Sequence, residues 1–404
     1  MAENDTEEAL SEPAPEPVPR ARRAGRWLRR RAPLLAAAMA GVLAGAGGVA
    51  WQTGVIFPGE ERECWGALSQ NDVARLVGDN AWTDVQEQGV TDYPTHVAPE
   101  GSCLIRDHND ALEVRLHGRG TAPGPDTGPF AFNPAAWEQR FLNSEMAWLG
   151  GGLTGMASPG EAWVALPTEC YGSDLDGPAI VEIIDTFDRP VEGYDTPQEA
   201  VRARELMART VVQLANAALA ELGCPGAPLP EPRTASLPAL QEVSELSGSQ
   251  RENLCGIPGL TAPASLIEDV WGQRLPEFSG DDPVRVCELY GGSSEFQLRL
   301  TTVDHPGLVT LLGGEPNWGG YYDRRENNER FSTDTGSGTI GRHRSSYFAR
   351  CHEETGLYDE DVAFLVQYHG GNDSETDNTA LLRDYVAAEA QRLGCQPLDP
   401  PSPD

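Results

Sequence analysis

Eight cysteines, Cys64, Cys103, Cys170, Cys224, Cys255, Cys287, Cys351 and Cys395, are the residues whose type and spacing speak most directly of chemistry. An even number of thiols suits a disulfide framework, and such bridges persist where the surroundings are oxidising. They fall into two sets of four, separated by 39, 67 and 54 residues in the first and by 32, 64 and 44 in the second. His352 stands beside Cys351, but no C-x-x-C or H-x-x-x-H spacing occurs and oxidised sulfur does not ligate zinc. We therefore expect no metal centre and no cofactor.

Other chemistry is sparser. Gly336-Ser337-Gly338-Thr339-Ile340-Gly341 spells G-x-G-x-x-G, yet a phosphate site needs that turn between a strand and the start of a helix. Here a polar stretch leads through Arg342, His343 and Arg344 into a strand-like run, which predicts a flexible loop. Carboxylates stand in matching turns, Asp174, Asp176 and Glu182 in one half and Glu353, Glu354, Asp359, Glu360 and Asp361 in the other. An EF-hand register fails at its twelfth position, Ile183, so solvated acidic turns are expected in place of a calcium site. Seven histidines are scattered and no G-x-S-x-G elbow accompanies them, which leaves open only a catalytic group assembled from distant residues. The most binding-like segment runs from Pro316 to Arg325. Trp318, Tyr321, Tyr322, Arg324 and Arg325 concentrate large side chains in a glycine-bearing loop, which suits partner contact. The competing reading has these aromatics tucked under their own domain.

The elements that must position the cysteines are legible in the flanking sequence. After the second cysteine of each set comes an alternating strand-like run, SCLIRDHNDALEVRLHG and VCELYGGSSEFQLRLTTV; after the third, an acidic turn and an apolar run; before the fourth, a helix ending in LGC. The same landmarks in the same order mark an internal duplication. In the first copy Ser69 caps a short helix through Val77, with Leu68, Val73 and Leu76 apolar. Asn133-Pro134 opens a second helix with Trp137, Phe141 and Trp148 along one face, without a clear counterpart in the other copy. Thr196-Pro197-Gln198-Glu199 combines a cap, a proline at the first helical position and a capping-box glutamate, and Met207, Val211, Leu214, Ala218 and Leu222 then recur at helical spacing.

Four cysteines allow three connectivities in each repeat. A strand over Asp361–Tyr368 spans ~26 Å and a helix over Thr376–Leu393 ~27 Å, so a helix doubling back along its strand returns Cys395 to Cys351 and, likewise, Cys224 to Cys170. Cys64 then pairs with Cys103 and Cys255 with Cys287.

Composition locates these repeats. The 404 residues carry 30 Lys plus Arg, all of them arginine, against 62 Asp plus Glu, for a net charge of −32. A chain this acidic repels phosphate backbones, so a nucleic-acid partner is excluded. Residues 1–32 hold seven arginines clustered from Arg20 to Arg31 and six acids before Val18, leaving the remainder at −33. The Pro- and Glu-rich start has too few apolar side chains to order itself. Then follows the apolar segment 33–57, PLLAAAMAGVLAGAGGVAWQTGVIF, whose 25 residues would reach ~38 Å as a helix, beyond the ~30 Å hydrocarbon core. Arginines ahead of it predict a signal anchor with a cytoplasmic N-terminus and an extracytoplasmic remainder. A cleaved signal peptide, using Ala44-Gly45-Ala46, is the alternative.

The expected organisation is a leader over 1–32, a transmembrane helix over 33–57, repeats over 62–225 and 250–396, a stiff Pro-rich linker over 226–249 that separates them, and a disordered tail over 397–404. The fold class is α+β: two tandem repeats, each an antiparallel sheet with flanking helices, preceded by one transmembrane helix. Cys64-x-x-x-Leu68-Ser69 before a short helix, followed by a cysteine in a strand, resembles the actinobacterial envelope domains of unknown function found in lipoproteins and anchored membrane proteins. It is also similar to the two-disulfide α+β sensor domains of bacterial receptor kinases. The resemblance implies an extracellular ligand-binding or sensing role, with an envelope protein or small molecule as partner, and carries over no catalytic residue. The alternatives are an envelope hydrolase with a non-sequential active site and a structural or assembly partner of membrane proteins.

Overall fold

The structure, a computed structural model, describes residues 62–77, 83–91, 99–107, 111–118, 134–167, 170, 177–185, 196–233, 244–245, 252–261, 270, 272–274, 282–291, 296–313, 329–351, 361–368 and 375–400. The chain divides into two compact units, Met1–Glu61 and Arg62–Asp404, and every described residue belongs to the second. The apolar segment 33–57 and the aromatic loop with Trp318, Tyr321, Tyr322, Arg324 and Arg325 lie outside the described residues. Among those described, no helix is long and apolar enough to cross a membrane.

The first repeat contains α1 (Gln70–Val77), β1 (Asp84–Thr91), β2 (Glu100–Arg106), β3 (Ala111–His117), α2 (Pro134–Phe141), β4 (Ala147–Trp148), β5 (Gly155–Ala157), β6 (Glu161–Ala165), β7 (Ile180–Asp185) and α3 (Pro197–Glu221). The second contains β8 (Ser244–Glu245), a 3-10 turn (Leu254–Gly256), β9 (Gly272–Arg274), β10 (Val284–Tyr290), β11 (Phe296–Asp304), α4 (Pro306–Leu312), β12 (Glu329–Thr333), β13 (Gly336–Ile340), β14 (Arg344–Ala349), β15 (Val362–Tyr368) and α5 (Glu375–Leu393). Each repeat builds one antiparallel sheet. The first runs β1-β2-β3-β7-β6-β5-β4, and the second, from its other edge, β8-β9-β10-β11-β15-β14-β13-β12. From β9 onward the two orders coincide strand for strand. The registers coincide as well, with Cys103 opposite Val114 and Val114 opposite Ile183 in one, Cys287 opposite Leu300 and Leu300 opposite Val366 in the other. The duplication read from the cysteines is thus a duplication of the fold, α+β with two antiparallel sheets.

Local chemistry explains the helices. The Ser69 hydroxyl accepts from the Asp72 amide at 3.2 Å and the Asp72 carboxylate accepts from the Ser69 amide at 3.0 Å, a reciprocal cap for α1. Thr196 accepts from the Glu199 amide ahead of Pro197 at the start of α3, as expected. Met207, Val211, Leu214 and Ala218 are buried along α3, which covers one face of β5, β6 and β7. In the second repeat α5 covers β13, β14 and β15 in the same way.

The other faces of the two sheets cover each other. Trp137, Phe141 and Leu142 of the first repeat, with Met156, Trp163, Ile180 and Ile184 of its sheet, share one buried core with Val284, Val286, Val303, Phe348, Ala363 and Leu365 of the second sheet and Leu308, Val309, Leu311 and Leu312 of α4. The long helices lie outside this seam, each over its own core. Central strands covered on both faces become apolar on both faces, which is why IVEI and VAFLV lack the alternation of β2 and β3.

Several expectations are corrected. The repeats are not beads on a stiff string. After Cys224 the chain lies down on its own repeat, where the Leu229 amide donates to Asn216 at 2.6 Å and the Arg233 amide donates to the Leu149 carbonyl at 2.9 Å. The segment after Cys395 does likewise. Leu398 packs on the second core and the Asp399 amide donates to Thr335 at 2.9 Å, so the tail is ordered at least to residue 400. The Pro134 helix has a counterpart in α4, at the same place between equivalent strands and also opening on proline. Trp148 belongs to β4 and not to that helix, although it still packs edge-on against Trp163, 6.2 Å between ring centres. The glycine-rich stretch 336–340 is strand β13, hydrogen-bonded on both sides. A Cβ at Gly338 would sit 2.0 Å from the Ser346 carbonyl, so the glycine serves close strand approach.

Candidate functional site

Three expected bridges are closed, Cys64–Cys103, Cys255–Cys287 and Cys351–Cys395. Cys64 and Cys255 both hold left-handed backbone, with φ of 52° and 60°, a conformation uncommon for residues with a Cβ. In the first repeat Trp65 follows suit and is clamped through its amide to Glu87 at 3.0 Å and through Nε1 to the Gln88 carbonyl at 3.1 Å. The fourth expected bridge is not closed. Cys170 and Cys224 stand outside the three closed bridges, with Cys224 Sγ 3.9 Å from the Cys170 carbonyl oxygen. Strand register gives the reason. Tyr347 pairs with Phe364 as Val164 pairs with Val181, so Cys351 corresponds to position 168 and Cys170 stands two residues further along. The Asp361 carboxylate also accepts from the Cys351 amide at 2.7 Å, whereas Pro178 occupies the equivalent place in the first repeat.

The richest concentration of buried charge lies in the seam between the repeats. Glu288 on β10 takes two donors from Arg299 on β11, Nε at 2.6 Å and Nη2 at 2.5 Å, the Tyr290 hydroxyl at 2.6 Å, and the Ser144 hydroxyl from the other repeat. Arg299 also reaches Gln367 at 3.0 Å and, across the seam, the Gln139 carbonyl at 2.7 Å. Glu145 pairs with Arg274 at 2.6 Å, and its carbonyl accepts from Arg204 of α3 at 2.8 Å. Glu138 on α2 faces Arg344 on β14 at 2.6 Å, while its Oε1 has no hydrogen-bond donor among the described residues. Arg274 further stacks over the Tyr290 ring at 5.1 Å.

Each titration follows from these neighbours. Burial drives the Glu138 and Glu145 carboxyls above the ordinary range, against the pull of Arg344 and Arg274 respectively. Burial acts on Glu288 too, but Arg299 and the Ser144 and Tyr290 hydroxyls outweigh it and hold that carboxyl low. Burial raises the Tyr290 phenol, reinforced by Glu288, and lowers the Arg204 guanidinium to about 10. These charged groups face one another as close ion pairs, the arrangement that fixes two surfaces in one register.

A smaller cluster lies on the same face of the first sheet. Glu182, expected in a solvated acidic turn, is buried in β7 and accepts from Trp137 Nε1 at 3.1 Å and lies 2.9 Å from His117 Nε2. Asp361 is likewise buried. Asp174, Asp176, Glu353, Glu354, Asp359 and Glu360 lie outside the described residues. On the opposite face of the second sheet, buried Glu389 receives Arg285 at 2.9 Å and Thr302 at 2.9 Å, and Arg285 also donates to the Cys255 carbonyl at 2.8 Å. That network ties α5 to the first cysteine of the repeat. Among the described residues no group of three or more His, Cys, Asp or Glu side chains could hold a metal ion.

Reading the sequence alone missed the seam, because its members are isolated charges on six separate elements. One signal was present. Glu288 lies in VRVCELY, a charge at the apolar phase set by Val284, Val286 and Tyr290. Comparison of the chain with family models, with curated proteins and with solved structures found no match.

Proposed function

We propose that this chain is a single-pass membrane protein whose two disulfide-bonded repeats form one extracytoplasmic module for binding or sensing a ligand or an envelope protein. The observation that carries this reading is the set of three closed bridges in a chain that also holds an arginine cluster followed by the apolar segment 33–57, because disulfides persist in oxidising compartments and arginines mark the cytoplasmic side. Recognition is favoured over catalysis because the buried charges of the seam are engaged with one another, with the Glu288–Ser144, Arg299–Gln139 and Arg274–Glu145 contacts holding the repeats as one body. Acidity of −32 overall suits a partner that is neutral, cationic or metal-bearing.

The test is a topology reporter. Alkaline phosphatase fused after residue 404 is expected to be active, and the fusion to stay in the membrane through an alkaline carbonate wash. An inactive phosphatase, with a fluorescent cytoplasmic reporter lit at the same position, overturns the orientation. Release of active fusion into the medium overturns the anchor.

A further inference from the structure

His305 stands where the two repeats meet and touches both. It precedes α4, and its Nδ1 accepts from the Leu308 amide at 3.3 Å. A ring nitrogen that accepts carries no hydrogen, so the hydrogen of the neutral ring sits on Nε2. That nitrogen lies 3.3 Å from the Thr154 hydroxyl, just ahead of β5 in the first repeat. One imidazole thus caps α4 and donates across to the other copy. The capped helix is itself part of the join, since Leu308, Val309, Leu311 and Leu312 are buried in the shared core and α4 lies against α2. The ring is closely packed there: a Cβ at Gly307 would meet it at 3.2 Å and Pro178 of the first repeat at 3.7 Å. Burial makes the ring less basic than usual, against a bond to its own backbone and the pull of Asp304. Among the described residues Asp304 is the charged neighbour, and Arg392 acts on Asp304 in turn. The stretches PGLVTLL of α4, Thr154 to Ala157 and Gly177 to Ala179 carry no ionisable side chain. In the first repeat the equivalent pair of residues is Asn133 and Pro134, a capping type that does not titrate.

From this we infer that His305 is a proton-operated latch between the repeats: the neutral ring seats α4 and ties it to Thr154, and the protonated ring releases both. A proton on Nδ1 turns the acceptor into a donor aimed at the Leu308 N–H, and it places positive charge at the helix end where the backbone dipole is already positive. The ring then has to turn away, and turning withdraws Nε2 from Thr154. The sign follows from the geometry and the burial together. The folded ring takes up a proton less readily than the unfolded one, so the latch is shut above about pH 6.5 and opens as pH falls through the lower folded value. Acidification thereby loosens the seam from α4 inward. This inference goes beyond the binding or sensing role and stands independently of where the chain resides.

Its test is hydrogen exchange of the full chain, read by mass spectrometry from about pH 7.5 down to about pH 5 and corrected for the intrinsic pH dependence of exchange. The expected result is that peptides over α4 and over residues 153–157 both exchange about fivefold faster at the acid end, the size of effect that follows from losing one helix cap. His305→Asn keeps an acceptor for the Leu308 amide without a titrating ring, so it should abolish the acid response in both peptides and separate the latch from the carboxylates of the seam. Thr154→Val should keep the α4 response and remove that of residues 153–157. Three outcomes overturn the inference: no acid response in the unaltered chain, a response undiminished in His305→Asn, or a 153–157 response that persists in Thr154→Val.

Discussion

Single residues in the seam carry opposite pH signs. Glu288 is held below its ordinary range, so its contribution is present above about pH 4.5 and is lost as pH falls through its lower folded value. Glu138 and Glu145 are raised, so their burial weakens the fold as pH rises from about 4.5 through their folded values. Removing one partner of a buried pair leaves the other charge uncompensated. Arg299→Met is therefore expected to lower stability by ~3–5 kcal/mol in urea unfolding, and the double change Arg299→Met with Glu288→Leu to recover much of that loss. No recovery would show that the pair acts through its contacts to Ser144, Gln139 and Gln367. His305 caps α4 through Nδ1, which accepts from the Leu308 amide at 3.3 Å, and burial lowers its basicity. Its stabilising effect is full above about pH 6.5 and is lost as pH falls toward the lower folded value. His305→Asn keeps a capping side chain and should flatten that part of the melting-temperature profile.

Among the elements, β13 illustrates how a motif can mislead. The glycines of GSGTIG give the spacing of a phosphate turn, yet Gly336 and Gly338 lie where neighbouring carbonyls leave no room for a Cβ. Gly338→Ala should cost ~1–3 kcal/mol through strand displacement, with no change in phosphate affinity, and a calorimetric phosphate titration beside the melting curve separates the two readings. The helix caps show the reverse case, since Ser69, Thr196 and Pro197 act within one turn and were readable in the chain. Thr196→Ala should remove ~1 kcal/mol. The α4 helix escaped notice because PGLVTLL is short and, Thr310 apart, lacks the polar phase that marks a surface helix; four of its seven residues are buried in the seam.

The whole molecule is one body made of two copies. Because Trp137, Trp163, Leu311 and Leu365 share a core that neither repeat completes alone, unfolding should be one transition with coincident tryptophan fluorescence and circular dichroism. Trp163→Ala, in the first repeat, should lower stability by ~3–5 kcal/mol and shift both probes together. Two separated transitions would return the repeats to independent domains. A polar seam inside this apolar contact sets one register, since sliding the sheets would leave Glu288 and Arg299 buried without their cross-seam partners Ser144 and Gln139.

The chain by itself determined what is local or repeats. Cysteine spacing, helix caps and the LGC endings report duplication, helix starts and three bridges, because each depends on residues near in sequence or on a pattern used twice. Only the tertiary structure decided what depends on register and docking. IVEIID and VAFLVQY announce that both faces of a central strand are covered, but not by what; the answer is the other repeat. Glu138, Glu145, Arg274, Glu288, Arg299 and Arg344 become a site only when α2, β9, β10, β11, β14 and the link after α2 converge. The placement of Cys170 is of the same kind, since it stands two residues past the position equivalent to Cys351, an offset invisible in a count of cysteines.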